Sequence, residues 1–212
     1  VSFRNLGSFV QALRARGELV EVEAEVDPHL ELAEIHRRVI QANGPALLFK
    51  RVKGKRFPVV TNLFGTRSRV DLAFGDLPKS LVRRVAKLPE ELLPPSPARL
   101  WRQRDLARPL LKVGFKRQSR APVMAEQIPG ADLTQLPAVT SWELDGGPFV
   151  TLPLVHTKVP DDLARGLPDN LGMYRLQIHD AKETGLHFQI GKGGGFHLEA
   201  CERAGRSLPV NV

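Results

Sequence analysis

Between Asn170 and Gly195 the chain reads NLGMYRLQIHDAKETGLHFQIGKGGG, and this stretch constrains the rest more than any other. Two polar-studded strands, Met173–His179 and Leu186–Ile190, are expected on either side of a short turn, Asp180–Gly185. The second runs into a glycine cluster. Strands carrying Asn170, Arg175 and Gln177 are not written for simple core burial. A Lys inside GKGGG places a cation and bare backbone N–H groups together, which suits a phosphate; a flexible turn is the plainer reading of the same glycines. Arg175 is the most informative single residue. Facing inward it needs a carboxylate or phosphate; facing outward it is a solvated surface arginine.

The sequence upstream supplies a body for this hairpin. With 212 residues, 42% hydrophobic and 25% charged, the chain is long enough for one large or two small globular domains. No apolar run reaches membrane-spanning length and VSFRNLGSF lacks a signal-peptide core, so a cytoplasmic protein with no membrane span is expected. Cys201 is the single cysteine and leaves no internal disulfide. The net charge of +8 admits an anionic cofactor, an acidic substrate or nucleic acid. Basic and aromatic residues do not interleave as on a single-strand-binding surface, and no nucleic-acid-binding motif spacing is present, so no nucleic-acid partner is expected.

Leu6, Phe9, Val10 and Leu13 have helical spacing, with Gly17 as the stop. Leu19–Val26 alternates apolar and acidic residues as a half-buried strand. Asp27-Pro28 reads as an N-cap followed by proline at the first helical position, opening a helix with Leu32, Ile35, Val39 and Ile40 on one side. Ala46–Val52 and Phe57–Leu63 form a hairpin about Lys53-Gly54-Lys55, and Arg69–Phe74 and Leu77–Leu88 read as helices. Residues 1–90 are thus expected to make an α+β domain. Residues 91–122 form a Pro/Arg-rich connector: Arg99–Arg120 holds eight basic residues against Asp105. It is either an anion contact or a solvated linker, with Trp101 as an anchor. Residues 123–212 are expected to form a second domain, with strands over Val139–Leu144 and Phe149–Lys158, a tight turn at Asp145–Pro148, a helix over Gly195–Ala204 and a terminal strand from Ser207. Consecutive strands suggest an antiparallel sheet or barrel not yet closed at Val212.

GKGGG is neither a Walker A loop nor a dinucleotide fingerprint, since Gly193 follows Lys192 and Phe196 stands where the third glycine belongs. His179, His187, His197 and Cys201 match no zinc spacing. Asn170, His187 and a carboxylate would instead make a mixed N/O site suited to Mn²⁺ or Mg²⁺ with a phosphate completing the shell. Neither Ser141 nor Ser207 sits in a nucleophile elbow, and Cys201 has no activating neighbour.

Several long stretches occur in the order seen in one family: SFRNLGSFVQALRARGELVEV continuing into Asp27-Pro28, TNLFGTRSRV from Thr61, TSWELDGGPFVT from Thr140, and NLGMYRLQ through HFQIGKGGGFH. On these motifs the chain resembles the UbiD family of reversible decarboxylases. The resemblance implies an N-terminal α/β domain followed by part of an antiparallel split β-barrel that binds prenylated FMN. That flavin's added ring acts as an azomethine ylide toward an α,β-unsaturated or aromatic acid, which loses CO₂, and a protein acid delivers the proton. It also implies Mn²⁺ at the phosphate with K⁺ nearby, a flavin prenyltransferase as cofactor supplier, a homo-oligomer, and an acid substrate such as a quinone-biosynthesis precursor. Residue by residue, Asn170 and His187 match metal ligands. Met173, Tyr174 and Arg175 match the segment along the flavin, and Arg175 matches the arginine of a Glu-Arg-Glu catalytic network. His187, Phe188 and Gln189 match the second cofactor strand, Lys192 and Gly193 the phosphate end, and Thr151 a threonine near the flavin. Family members are more than twice as long. The metal-binding glutamate and both glutamate partners of Arg175 would lie past Val212, so the chain is expected to be an inactive N-terminal portion. Two other readings stay open: a flavoprotein of split-barrel type binding plain FMN, and a basic nucleic-acid-binding or interaction domain.

Overall fold

The computed structural model describes residues 3–75, 82–83, 85–87, 121–163, 166 and 169–212. The basic run Arg99–Arg120, Trp101 and most of the expected helix Leu77–Leu88 lie outside the described residues. Among the described residues the architecture is mixed α+β, built on three small sheets of three strands each. Close contacts fall into two units that interleave along the chain: Val1–Glu18 with Leu63–Pro129, and Leu19–Asn62 with Gly130–Val212. The sequence-based segments 1–90, 91–122 and 123–212 follow chain order instead.

In the first unit, helix α1 (Leu6–Ala15) starts at a capping box in which Asn5 accepts from Ser8 N–H and Ser8 reaches back to the Asn5 N–H. It stops where Gly17 takes φ 69°. Phe9 and Leu13 are its buried face. Helix α3 (Arg67–Phe74) is capped by Thr66. Phe3, Phe9, Phe64 and Phe74 form a chain of ring contacts at 5.1, 5.9 and 5.5 Å.

In the second unit, β1 (Leu19–Val26) runs parallel to β2 (Ala46–Val52) through helix α2 (Glu31–Gln41), and β3 (Val59–Thr61) returns antiparallel to β2. Val26, Leu32, Leu47, Phe49 and Val52 form the core, with Val22, Ile35, Val39, Val59 and Val139 packed on it. The acidic face of β1 meets Lys50, which bridges Glu21 and Glu23 at 2.5 and 2.7 Å.

Asp27-Pro28 does not open α2. Asp27 instead closes a turn by accepting from His29 N–H at 2.8 Å, and the helix begins at Glu31. The reason is tertiary pairing: Thr140 N–H donates to the Pro28 carbonyl and Leu30 N–H donates to that of Thr140, a bridge at His29 that keeps 28–30 out of the helix, with Leu30 at φ 66°. The expected strand Val139–Leu144 shrinks to bridges at Val139 and Thr140. Asp145 accepts from Ser141 and Trp142 N–H groups and curls the remainder into a turn.

The expected strand Phe149–Lys158 is two strands, β4 (Phe149–Val150) and β5 (Leu154–Thr157), in different sheets. The strand expected over Met173–His179 is likewise divided, into β6 (Asn170–Met173) and β7 (Leu176–Ile178). The second hairpin strand is β8 (Thr184–Leu186), earlier than Leu186–Ile190. Sheet orders are β4-β7-β8 and β6-β5-β9, where β9 is Val210–Asn211. Helix α4 (Gly193–Arg203) begins inside the glycine cluster. Among the described residues no helix is long and apolar enough to cross a membrane.

Candidate active site

The division of both long strands has one geometric cause. Phe149 pairs with Gln177 and Val150 with Leu176; beyond the break, Leu154 pairs with Met173 and the ladder runs to Thr157 with Asn170. Three residues, Thr151–Pro153, therefore stand opposite two, Tyr174 and Arg175. That is a one-residue bulge, and Pro153 at its edge has no N–H to give the ladder. On the other side β7 pairs with β8 through Leu176 and Leu186. Continued one and two steps past that ladder, the register would set Arg175 against His187 and Tyr174 against Phe188. The Tyr174 and Phe188 rings do meet, edge to face, at 4.8 Å. Thr151, Arg175 and His187 thus form a row across three segments, one residue past the last paired positions. A bulge re-aims side chains at such a place, out of the regular ladder.

A cavity of about 470 Å³ opens at this row, lined by Gly172, Met173, Tyr174, Arg175, His187, Gln189 and Lys192. Arg175 is exposed on its wall, its guanidinium carbon 5.1 Å from the Phe149 ring centroid. Among the described residues it pairs with no carboxylate. Thr151 is exposed beside the bulge without lining the cavity, and Phe188 stands behind Tyr174. A larger cleft of about 810 Å³ lies between α2 and the 141–144 turn, with Ile40, Trp142 and Leu144 in its walls and Arg37 over the Trp142 ring at 5.6 Å. We place the site at the smaller cavity, where Arg175, His187 and Lys192 converge.

The glycines of GKGGG are required by close packing. A Cβ on Gly193 would stand 2.2 Å from Asn170 Oδ1, one on Gly194 2.4 Å from the Phe188 ring, and one on Gly195 2.7 Å from the Gln189 carbonyl oxygen. Gly172 is equally constrained by the Tyr174 ring at 2.4 Å. Lys192 is the N-cap of α4 and makes no side-chain cap hydrogen bond. The Gly194 N–H donates to the Tyr174 hydroxyl at 3.0 Å. The Gly193 and Gly195 N–H groups find no acceptor among the described residues, so the positive end of the helix is open beside Lys192.

Behind Tyr174 lies a polar chain that sequence reasoning missed. Asn170 Nδ2 donates to Thr157 Oγ1 at 3.1 Å and to the Tyr174 hydroxyl at 3.3 Å, and Thr157 Oγ1 lies 3.0 Å from His197 Nδ1. Thr157 and His197 are buried, at 0% and 3% exposure. The available signal was the pairing of Thr157 with Asn170, visible only once the bulge fixes the register. The structure brings Asn170 together with Gly193, Tyr174 and Thr157, and sets His187 and Arg175 in the wall of one cavity, whose lining does not include Asn170. Among the described residues no three His, Cys, Asp or Glu side chains are grouped to hold a metal ion.

Two family models match the chain. One, the 3-octaprenyl-4-hydroxybenzoate carboxy-lyase N-terminal domain, covers residues 10–88; the other, the 3-octaprenyl-4-hydroxybenzoate carboxy-lyase Rift-related domain, covers 115–212. A protein of Chlamydia trachomatis is 49% identical over 209 residues, 98% of this chain and 35% of that protein. A 4-hydroxybenzoate decarboxylase subunit from Chlamydia pneumoniae is 46% identical over 203 residues, 96% of this chain and 34% of that protein. The chain therefore spans about a third of the length of these curated relatives. Among solved structures, vanillic acid decarboxylase of Sedimentibacter hydroxybenzoicus in closed form shares the fold with a TM-score of 0.75 at 24% identity, over 99% of this chain and 42% of that one. The UbiD-class enzyme HmfF from Pelotomaculum thermopropionicum, solved with FMN, gives 0.68 at 26% identity over 97% and 41%. An evolved dimeric form of HmfF, solved with prFMN, gives 0.69 at 25% over 98% and 43%. With both domain models in sequence along most of its length, and with these relatives, the chain belongs to the UbiD family of carboxy-lyases, whose N-terminal and Rift-related domains it carries.

Proposed function

We propose that the chain forms one wall of the cofactor site of a decarboxylase that uses prenylated FMN on an aromatic or α,β-unsaturated carboxylic acid. The observation that carries this reading is the convergence of Arg175, His187, Gln189 and Lys192 on one concavity beside the open N-terminus of α4. In this reading β4–β9 belong to a split barrel whose remaining strands come from a longer polypeptide, residues 1–90 and 123–212 are its two domains, and the whole protein is a homo-oligomer supplied by a flavin prenyltransferase.

The donor set fits the flavin end of the site. Lys192 and the open N–H groups of Gly193 and Gly195 would hold a phosphate. Met173, Tyr174, Phe188 and Gln189 would flank the ring system, with Thr151 at its edge. For a divalent ion the fit is of type rather than number: Asn170 Oδ1 is a hard neutral donor with no hydrogen bond among the described residues, and His187 is an imidazole on the cavity wall. Among the described residues no carboxylate joins them, so Mn²⁺, and any K⁺ near it, would draw its remaining ligands from other donors such as phosphate oxygens or water.

When bound, the prenylated flavin would supply the carbon centre that takes up the electron pair released as CO₂ departs. The chain's own part is positional and electrostatic. Arg175 would grip the substrate carboxylate through two parallel N–H···O bonds, with the Phe149 ring holding the guanidinium from behind. Its charge would also favour the ionised form of any carboxyl set beside it.

The test is to produce the encoded protein in cells containing a flavin prenyltransferase. The bound flavin is then weighed by mass spectrometry, and CO₂ release from hydroxybenzoates is compared for wild type and Arg175→Ala. Prenylated FMN in both, with CO₂ release lost in the variant, is expected. Plain FMN with redox turnover would favour a simple flavoprotein, and no flavin at all would overturn the reading.

A further inference from the structure

Arg175 lies at the bulge, just before the paired residues of β7, and its side chain is long and exposed. Such a side chain ordinarily samples many rotamers. Its guanidinium carbon nevertheless lies over the Phe149 ring, at 5.1 Å from the centroid. The strand pairing explains why. Phe149 stands directly opposite Gln177, so Arg175, two residues earlier on the same chain, is its diagonal neighbour. Diagonal pairs are about 7–8 Å apart, within reach of a ring and a long side chain. Gln177 does not compete for the ring, because its Nε2 donates to the Gly146 carbonyl at 2.5 Å, back along the turn that precedes β4.

The ring is the fixed member of this pair. Phe149 N–H donates to the Val139 carbonyl at 3.1 Å, and the Phe149 carbonyl accepts from Val139 N–H at 3.3 Å. With both backbone groups serving Val139, Phe149 and Gln177 form a non-hydrogen-bonded pair, the kind in which facing side chains stand closest. The turn before Phe149 is pinned as well. Ile178 N–H donates to the Pro148 carbonyl at 3.0 Å, and a Cβ on Gly146 or Gly147 would press on the Gln177 amide at 3.2 and 3.3 Å. A side chain whose backbone is tied on both edges thus steadies one that projects from the bulge.

The contact leaves Arg175 chemically free. A ring face attracts the charge without forming an N–H···O bond, so the guanidinium keeps its fork of donors for a carboxylate. The cavity lining holds Arg175 and Lys192 and no carboxylate. Lys192 offers a compact point charge at the start of α4, and Arg175 a planar one over a ring. We propose that Phe149 is the positioning residue that orders Arg175 before substrate arrives, with Gln177 and the Asp145–Pro148 turn as its support, and that this ordering sharpens the site's preference for a carboxylate over an uncharged group of the same shape. The inference rests on the reading of Arg175 as the substrate-carboxylate contact.

The test compares binding of 4-hydroxybenzoate with that of 4-hydroxybenzamide by calorimetry. It uses the full encoded protein loaded with unprenylated FMN, so that the acid is not consumed. Wild type is expected to prefer the acid. Phe149→Leu keeps an apolar side chain and removes the ring; it is expected to weaken the acid by about 2–10-fold, the effect of having to order one long side chain on binding, and to leave the amide unchanged. Phe149→Tyr is expected to bind both as wild type does. In an Arg175→Ala background the preference should vanish and Phe149→Leu should have no further effect. Thermal unfolding identifies a variant that has lost its fold, and Phe149→Met is the second ringless variant should the leucine one do so. If wild type shows no preference, or Arg175→Ala leaves it intact, the substrate-site reading fails. If Arg175→Ala abolishes the preference but the ringless variant retains it in full, weakens acid and amide equally, acts equally without Arg175, or is matched by Phe149→Tyr, the positioning role of Phe149 is refuted while the site stands.

Discussion

Gly7 and Gly194 occupy the same place in two helices, the second residue of α1 and of α4. Replacing each by alanine should nevertheless move stability in opposite directions. A Cβ on Gly7 meets only Asn5 Oδ1 at an ordinary 3.5 Å. Gly7→Ala should therefore gain the usual alanine advantage in a helix, about 0.5–1 kcal/mol. On Gly194 the same Cβ would lie 2.4 and 2.5 Å from two Phe188 ring carbons and 3.0 Å from the Tyr174 hydroxyl. That ring cannot step back without breaking its edge-to-face contact with Tyr174. Overpacking of this kind costs about 1–3 kcal/mol. After the helix gain is subtracted, Gly194→Ala should be less stable by up to about 2.5 kcal/mol. Urea unfolding followed by far-ultraviolet circular dichroism reads both variants. FMN binding, measured in parallel, should weaken for Gly194→Ala alone, because the shift falls on Tyr174 and Phe188. Equal stabilisation of both variants would refute the argument that the glycines of GKGGG are demanded by packing.

Three further outcomes follow from other contacts. Arg175→Ala should change stability by no more than about 0.5–1 kcal/mol, the scale of an exposed cation–π contact, while abolishing substrate turnover; a large loss of stability in urea titration would mark Arg175 as structural. Asn62 adopts φ 56° and donates to the Gly44 and Pro45 carbonyls at 3.1 and 2.8 Å. Asn62→Ala should cost about 2–3 kcal/mol from the lost hydrogen bonds and the left-handed backbone, measured by the same titration. Burial holds the His36 imidazole below its usual 6.5. The folded form thus takes up this proton less readily than the unfolded chain, so the stability tied to neutral His36 is complete above pH 6.5 and is lost as pH falls below that value. A series of thermal melts from pH 7.5 to 5 should show a flatter acid limb for His36→Leu than for wild type.

Much of the fold was legible from periodicity. The limits of β1 and β2 and the stops of α1 and α2 follow from alternation, helical spacing and the turn residues Gly17 and Asn43-Gly44. What the sequence hid was non-local. Asp27-Pro28 carries the signature of a helix start, yet a bridge to Thr140, more than a hundred residues away, keeps the next residues out of the helix. Phe149–Lys158 and Met173–His179 each read as one strand because nothing in either run alone announces a bulge. The bulge exists only in their pairing, and it is what aims Arg175 at the cavity. The glycines were visible from the start as a site feature, but a phosphate cradle and a tight packing seam demand the same residues. Only the distances to Asn170 and Phe188 show that the seam is there. Thr157 and His197 were illegible for the same reason: a buried threonine in a strand and a histidine on a helix acquire meaning only through Asn170.

In the proposed cofactor site a flavin phosphate and ring system rest on the row at Thr151, Arg175 and His187 and on the start of α4. The direct measurement is a two-dimensional ¹H–¹⁵N NMR titration of the labelled chain with FMN, which registers contacts even at weak affinity. Shift changes are expected to concentrate at Gly172–Arg175 and His187–Gly195 and to diminish with Arg175→Ala and Lys192→Ala. Changes concentrated at α2 and Trp142–Leu144 instead, or none at millimolar FMN, would contradict it.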